Sequence, residues 1–198
     1  MKLILAFIRL IRWPNLIFIA ITQYLFYHFI AGNINPSLLE DSSCLIYLLL
    51  AASVSIAAAG YIINDYFDLQ IDNINKPERV VVDAVIKRRW AIIWHWLLSA
   101  TGLFLSALIS HRIHNWQLFI GNVFCVVALW FYSTTFKKQL LTGNIIISLL
   151  TAWTIIVVIL FSGVHLFSMK GWDNAGYTFD VKRLFKFTVL YAGFAFIV

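Results

Sequence analysis

Apolar residues in this chain come in long runs separated by short polar stretches, and the run lengths set the first expectation. A bilayer core of about 30 Å is crossed by roughly 20 helical residues. Against that length, six runs predict membrane-spanning helices, over residues 14–31, 44–63, 91–109, 116–132, 144–167 and 184–198. The chain is therefore read as all-α, a polytopic transmembrane helical bundle. No low-complexity tract or flexible linker separates the runs and no internal repeat is evident, so residues 1–198 are read as one domain.

Composition points the same way. The chain is 62% hydrophobic and 12% charged, with mean hydropathy +0.85. Soluble domains carry about 45–50% apolar and about 25% charged residues. An aromatic content of 17% suits Trp and Tyr at two membrane interfaces. The formal net charge is +6. In a soluble protein that balance points to nucleic acid. Here the cations lie between apolar runs, so membrane orientation, anionic lipid head groups or a phosphorylated substrate account for them, and no nucleic acid is expected. Cys44 and Cys125 lie in or beside apolar runs without partners at metal-ligand spacing, and are read as packing residues.

The polar connections set the orientation. Lys2, Arg9 and Arg12 precede the first run as they would in a signal peptide. No A-x-A-like cleavage site follows near residues 25–32 and further spans come after, so this segment is read as the approach to the first helix. Residues 64–90 form a long connection holding Lys76, Arg79, Lys87, Arg88 and Arg89, and residues 133–143 hold Lys137 and Lys138. A cytoplasmic N-terminus places ten of the fifteen Lys and Arg residues inside, as the positive-inside rule favours. Expected is a multi-pass cell-membrane protein whose N-terminus and acid-rich connection are cytoplasmic. The basic stretch 168–183 runs against this assignment.

The chemistry is concentrated in Asn64-Asp65-Tyr66-Phe67-Asp68-Leu69-Gln70-Ile71-Asp72, directly after the second run. Asp65, Asp68 and Asp72 fall at i, i+3 and i+7, one face of a helix, and Asn64 lies one turn before Asp68. Carboxylates stacked this way repel each other at neutral pH. A divalent cation offsets that repulsion, and Mg2+ takes carboxylate oxygens together with substrate phosphate oxygens. The spacing thus predicts a metal–diphosphate site at the membrane surface. A solvated acidic helix end is the simpler alternative, but ionisable groups at the mouth of a membrane helix tend to be functional. Lys76 and Arg79, flanking Pro77, are placed to hold phosphate oxygens beyond the metal's reach, or else serve topology as Lys87, Arg88 and Arg89 do.

The run NDYFDLQIDNINKPER resembles the first aspartate-rich motif of the UbiA superfamily of intramembrane prenyltransferases, N-D-x-x-D-x-x-x-D, at every fixed position. Its continuation resembles the subgroup that includes geranylgeranylglycerol-phosphate geranylgeranyltransferases. Arg12-Trp13-Pro14-Asn15 is similar to the start of the family's first helix, where an Asn faces the central cavity. Tyr132 with Lys137 and Lys138 is similar to an element that contacts diphosphate, and Gly143-Asn144 fits the fifth helix. The resemblance implies Mg2+ held by Asn64, Asp68 and Asp72, with Asp65 beside them, gripping a polyprenyl diphosphate. It implies Asp65, Asp68 and Asp72 as catalytic, and Asn15, Asn64, Lys76, Arg79, Tyr132 and Lys137 as substrate-binding. The tail would lie in an apolar cavity open to membrane lipids. The acceptor, a lipid phosphate or an aromatic quinone precursor, is left open, as are chain length and oligomeric state.

Two departures from the family pattern shape a further expectation. The family has nine helices and a second aspartate-rich motif; this chain offers six runs and one motif. The last run has fifteen residues, about 22 Å of helix, short of the bilayer core. The domain is therefore expected to be C-terminally incomplete and, alone, nearly inactive. Val80 and Ala84 stand where many relatives have Pro and Gly. Two other readings compete: an inactive membrane fragment, and a cation-binding carrier. Carriers usually keep their ionisable groups at the bilayer midplane rather than at a helix end.

Overall fold

The computed structural model describes residues 2–34, 44–75, 81–83, 85–162 and 180–197, with the side chains of Lys2, residues 70–75, Lys138 and Leu140 outside that description. Among the described residues, seven helices of nine or more residues carry the fold. They are α1 (Lys2–Leu10), α2 (Trp13–Leu25), α3 (Leu45–Asn75), α4 (Arg88–Arg112), α5 (Trp116–Thr134), α6 (Leu140–Phe161) and α7 (Val181–Ile197). α2 runs on through a π-helical stretch, Phe26–Ala31, into the short turn Gly32–Ile34. Five helical stretches are long and apolar enough to cross a membrane: Trp13–Ile34, Leu45–Leu69, Arg88–Arg112, Trp116–Thr134 and Leu141–Phe161. The chain is a multi-pass helical membrane bundle, as predicted, with five of the six expected spans among the described residues; the sixth run is the 17-residue α7, which is not among these five.

Three expectations need correction. The segment before the first span is itself a helix, α1, because its apolar residues recur at helical spacing and Leu10 is buried against the bundle. The acid-rich segment read as a connection is helical: α3 continues unbroken for 31 residues, about 46 Å. No Gly or Pro interrupts residues 61–75, so nothing stops the helix at the membrane surface. α6 ends at Phe161 rather than at residue 167, and α7 begins at Val181. Residues 163–179 lie outside the described residues.

α3 is the central strut and packs most extensively on α4. The reason lies in the side chains α4 turns inward: His95, Ser99, Gly102 and Ser106, small or polar residues at intervals of three and four. Small residues let backbones approach closely where lipid supplies no hydrophobic drive. At Gly102 the approach is extreme, since a Cβ there would lie 2.6 Å from Ile56 Cγ1 and 3.0 Å from the Ala52 carbonyl oxygen. His95 adds a polar tie, its Nδ1 lying 3.0 Å from the Ala59 carbonyl oxygen.

The buried apolar residues form two groups, one toward each end of the bundle. One gathers the end of α2, the start of α3 and the end of α6 around Tyr27, Leu49 and Phe161. The other packs Leu10 of α1 against Ile62 and Leu69 of α3 and against Val82 and Ile86. Between them α2, α3, α5 and α6 leave a cavity. The outer faces expose Phe18, Phe104, Phe124 and Leu149, the surface that lipid solvates in a membrane bundle.

Candidate active site

Asn64 lies 19 residues into α3, about 28 Å from its first residue, so the acid run begins where a bilayer core would end. One helical turn brings Asn64 and Asp68 together, and Asn64 Nδ2 donates to Asp68 Oδ2 at 3.0 Å. Lys137 reaches the same pair from the turn between α5 and α6. Its Nζ donates to Asn64 Oδ1 at 3.0 Å and forms an ion pair with Asp68. The turn is a single 3₁₀ coil, Phe136–Lys138, pressed against the start of α6. Gly143 permits this closeness, because a Cβ there would lie 2.9 Å from the Phe136 carbonyl oxygen.

Asp65 faces a different neighbour. Arg12 donates from its guanidinium to Asp65 Oδ1 at 2.7 Å, and the same guanidinium lies 5.2 Å from the Tyr61 ring centroid. Arg12 turns the corner between α1 and α2 with φ at 52°, a left-handed conformation that a residue with a Cβ adopts at a cost. Pro14, at the start of α2, needs no N–H partner there and fixes the helix entry. The backbone thus commits Arg12 to the rim of the bundle, facing α3.

Of these groups Arg12 and Asn64 line a cavity of about 500 Å3, together with Tyr61 and Tyr132 among others, while Asp65, Asp68 and Lys137 adjoin it through their contacts with Arg12 and Asn64. Its walls are mainly apolar, with Phe18, Ile56, Leu129, Ile147 and Leu150. A few polar groups lie deeper. Gln23 is fully buried and donates to Ser53 Oγ at 2.9 Å and to the Thr154 carbonyl oxygen at 3.0 Å. Asn122 donates to Ser106 Oγ at 2.7 Å and accepts from Trp153 Nε1 at 2.9 Å. A charged rim above an apolar chamber suits an amphiphile with an anionic head and a long hydrocarbon tail.

The structure brings Asn64, Asp65, Asp68, Tyr132 and Lys137 to one end of this chamber. Asp65 and Asp68 do not converge on one point; each meets its own basic partner. Asn15 is exposed on α2 and is not among the residues lining the cavity. Asp72 lies on α3 one turn beyond Asp68, with its side chain outside the described residues; Lys76 and Arg79 lie outside them altogether. Sequence reasoning named Arg12 as a topogenic charge and as part of the Arg12-Trp13-Pro14-Asn15 element, without a role at the site, and passed over Gln23 and Asn122. The available signal was a polar residue within an apolar run, which in a membrane helix points inward.

The donor chemistry fits a hard divalent cation. Asn64 Oδ1 and the Asp68 carboxylate already share one cationic atom, the Lys137 ammonium nitrogen. Neutral and anionic oxygens are what Mg2+ prefers. Among the described residues no group of three or more His, Cys, Asp or Glu side chains gathers at one point.

Residues 16–197 match the UbiA prenyltransferase family. The digeranylgeranylglyceryl phosphate synthase of Sulfurisphaera tokodaii is 43% identical over 108 residues, covering 54% of this chain and 37% of that protein. The enzyme of the same name from Methanococcus maripaludis (strain C6) is 31% identical over 161 residues, covering 80% of this chain and 52% of that protein. A solved structure, described as giving insights into digeranylgeranylglyceryl phosphate synthase in membranes, superposes with a TM-score of 0.67 at 28% identity, over 98% of this chain and 74% of that one. The chain spans about half or less of the length of the curated relatives it matches. The match runs through nearly every described helix, acid motif and cavity walls included, and on that ground the chain belongs to the UbiA prenyltransferase family.

Proposed function

We propose that this chain forms the donor-binding part of a prenyltransferase that moves a geranylgeranyl group from its diphosphate to an alcohol oxygen of a glyceryl phosphate lipid. The observation that carries this reading is the meeting of Asn64, Asp68 and Lys137 at the mouth of a mainly apolar cavity. The name shared by the relatives supports the acceptor, since their product carries two geranylgeranyl groups on one glyceryl phosphate. The aromatic acceptor that the acid motif leaves open has no such support.

In this reading Asn64 and Asp68 would hold Mg2+, as the family motif implies for Asp72 as well, with Asp65 nearby on α3. Bound there, the metal supplies positive charge to the diphosphate oxygens. Lys137 and Arg12 would hold the same oxygens, a role the sequence motif also suggests for Lys76 and Arg79, and would stabilise the charge that develops on the leaving group. The allylic C–O bond breaks with its electron pair going to the diphosphate. The acceptor hydroxyl oxygen attacks the allylic carbon and loses its proton, leaving an ether. The apolar walls limit capture of the cation by water, and aromatic residues, Tyr61, Tyr132 and Trp153 among them, line the chamber. The N-terminus and the rim of the cavity lie on the cytoplasmic side, which the distribution of Lys and Arg supports.

The decisive experiment is binding of a non-reactive geranylgeranyl thiodiphosphate to the purified chain in detergent, with and without Mg2+. Binding that requires Mg2+ and is lost in Asp68→Ala is expected. Binding indifferent to both the metal and the substitution overturns the assignment.

A further inference from the structure

A second depression lies between α1 and the start of α4, and it shares no lining residue with the cavity just described. Leu3, Ile4 and Phe7 of α1 form one wall, and Lys87, Trp90 and Trp94 at the start of α4 form the other. Its volume, about 600 Å3, falls in the range of small-molecule sites. The Phe7 and Trp94 rings close its floor with centroids 4.9 Å apart.

Its charge is one-sided. α4 begins at Arg88 with no acidic residue in its first turn and no side-chain cap, so its first N–H groups add positive potential beside Lys87. Arg88 is turned away over the Tyr66 ring, 5.0 Å from the centroid, which leaves Lys87 as the cation lining the groove. Asp83, on the preceding segment, is exposed and forms no ion pair with Lys87. The apolar side of α1 is equally unshielded: Leu3, Ile4 and Leu5 are each more than 60% exposed. A helix that is apolar on its outer face, with Arg9 in its last turn, lies in the interfacial plane of a membrane.

We propose that this groove is a binding site for an anionic membrane phospholipid. One acyl chain lies along Leu3, Ile4 and the two tryptophans, and the head-group phosphate meets Lys87 at the N-terminus of α4. The occupant is a lipid rather than a soluble anion because the walls are apolar along the groove and the cation stands at one end. A zwitterionic lipid carries an ammonium that offsets its phosphate, so charge discriminates between the two.

The test is native mass spectrometry of the purified chain after exposure to equal amounts of phosphatidylglycerol and phosphatidylcholine with identical acyl chains. A several-fold excess of phosphatidylglycerol adducts is expected. Lys87→Gln should abolish that preference, and Lys186→Gln, an equal charge change on exposed α7, should leave it intact. Equal retention of both lipids by the unaltered chain, or an undiminished preference in Lys87→Gln, overturns the proposal. Neither outcome bears on the donor site, because the readout is lipid retention rather than diphosphate binding.

Discussion

Lys137 and Asp68 stand 69 residues apart in sequence and form an ion pair across the mouth of the cavity. The contact joins the acid face of α3 to the tight turn between α5 and α6. It also sets a competition, since the ammonium nitrogen occupies the position between Asn64 Oδ1 and the Asp68 carboxylate that a metal would take.

That competition has a sign. Removing the cation in Lys137→Met should tighten binding of Mn2+, a spectroscopic substitute for Mg2+, by a few-fold, because the carboxylate no longer has a resident partner. Diphosphate affinity should fall by about tenfold, roughly 1.4 kcal/mol, because a phosphate-holding cation is lost. Electron paramagnetic resonance titration and ligand binding read the two effects separately. Movement of both in the same direction would sink the dual role.

Arg12→Gln separates stability from binding at the rim. The Arg12 side chain is 45% exposed, so its ion pair with Asp65 is worth less than about 1 kcal/mol. The unfolding midpoint should barely move, while donor-analogue affinity drops about tenfold. A large fall in the midpoint instead would show that the corner between α1 and α2 depends on the pair.

Gly102→Val should loosen the main helix pair. Its new Cβ meets Ile56 and, more stubbornly, the Ala52 carbonyl oxygen, which cannot rotate away. Overpacking of this kind destabilises by about 1–3 kcal/mol. Thermal unfolding in detergent should show a lower midpoint, and an unchanged midpoint counts against α3–α4 contact as the organising interface.

Gln23→Leu tests the polar tie inside the chamber. The substitution keeps the bulk and removes donation to Ser53 and Thr154, which joins α2 to both α3 and α6. Interhelical hydrogen bonds in membranes average about 0.6 kcal/mol. A modest destabilisation near 1 kcal/mol is expected for two, measured against Ser53→Ala as the matching half of a double-mutant cycle. Additive effects of the two substitutions would show that the residues do not act together.

The spans were legible because bilayer thickness imposes a length on apolar runs: 116–132 sits inside α5, which ends at Thr134, whereas 44–63 marks only the apolar first part of α3. The i, i+4 relation of Asn64 and Asp68 was legible for the same geometric reason. What could not be read was the pairing of each acid. Helical spacing puts Asp65 and Asp68 on one broad face, yet they differ in azimuth enough to meet different neighbours. Which neighbours depends on Arg12 and Lys137, brought in by a left-handed corner and a 3₁₀ turn that no periodicity announces. The length of α3 was underestimated because polarity was read as the end of a helix, when it marked only the end of hydrocarbon.

The unbroken run of α3 from hydrocarbon into the polar boundary has a consequence for traffic. On the proposed function, a prenyl diphosphate bound beside Asn64 and Asp68 would keep its ionic head among water and charges while its tail stays in oil, so neither portion would change phase on arrival. The thermodynamic barrier that lifting an isoprenoid out of a monolayer would impose does not arise, and movement to and from the site is reduced to sideways diffusion in two dimensions.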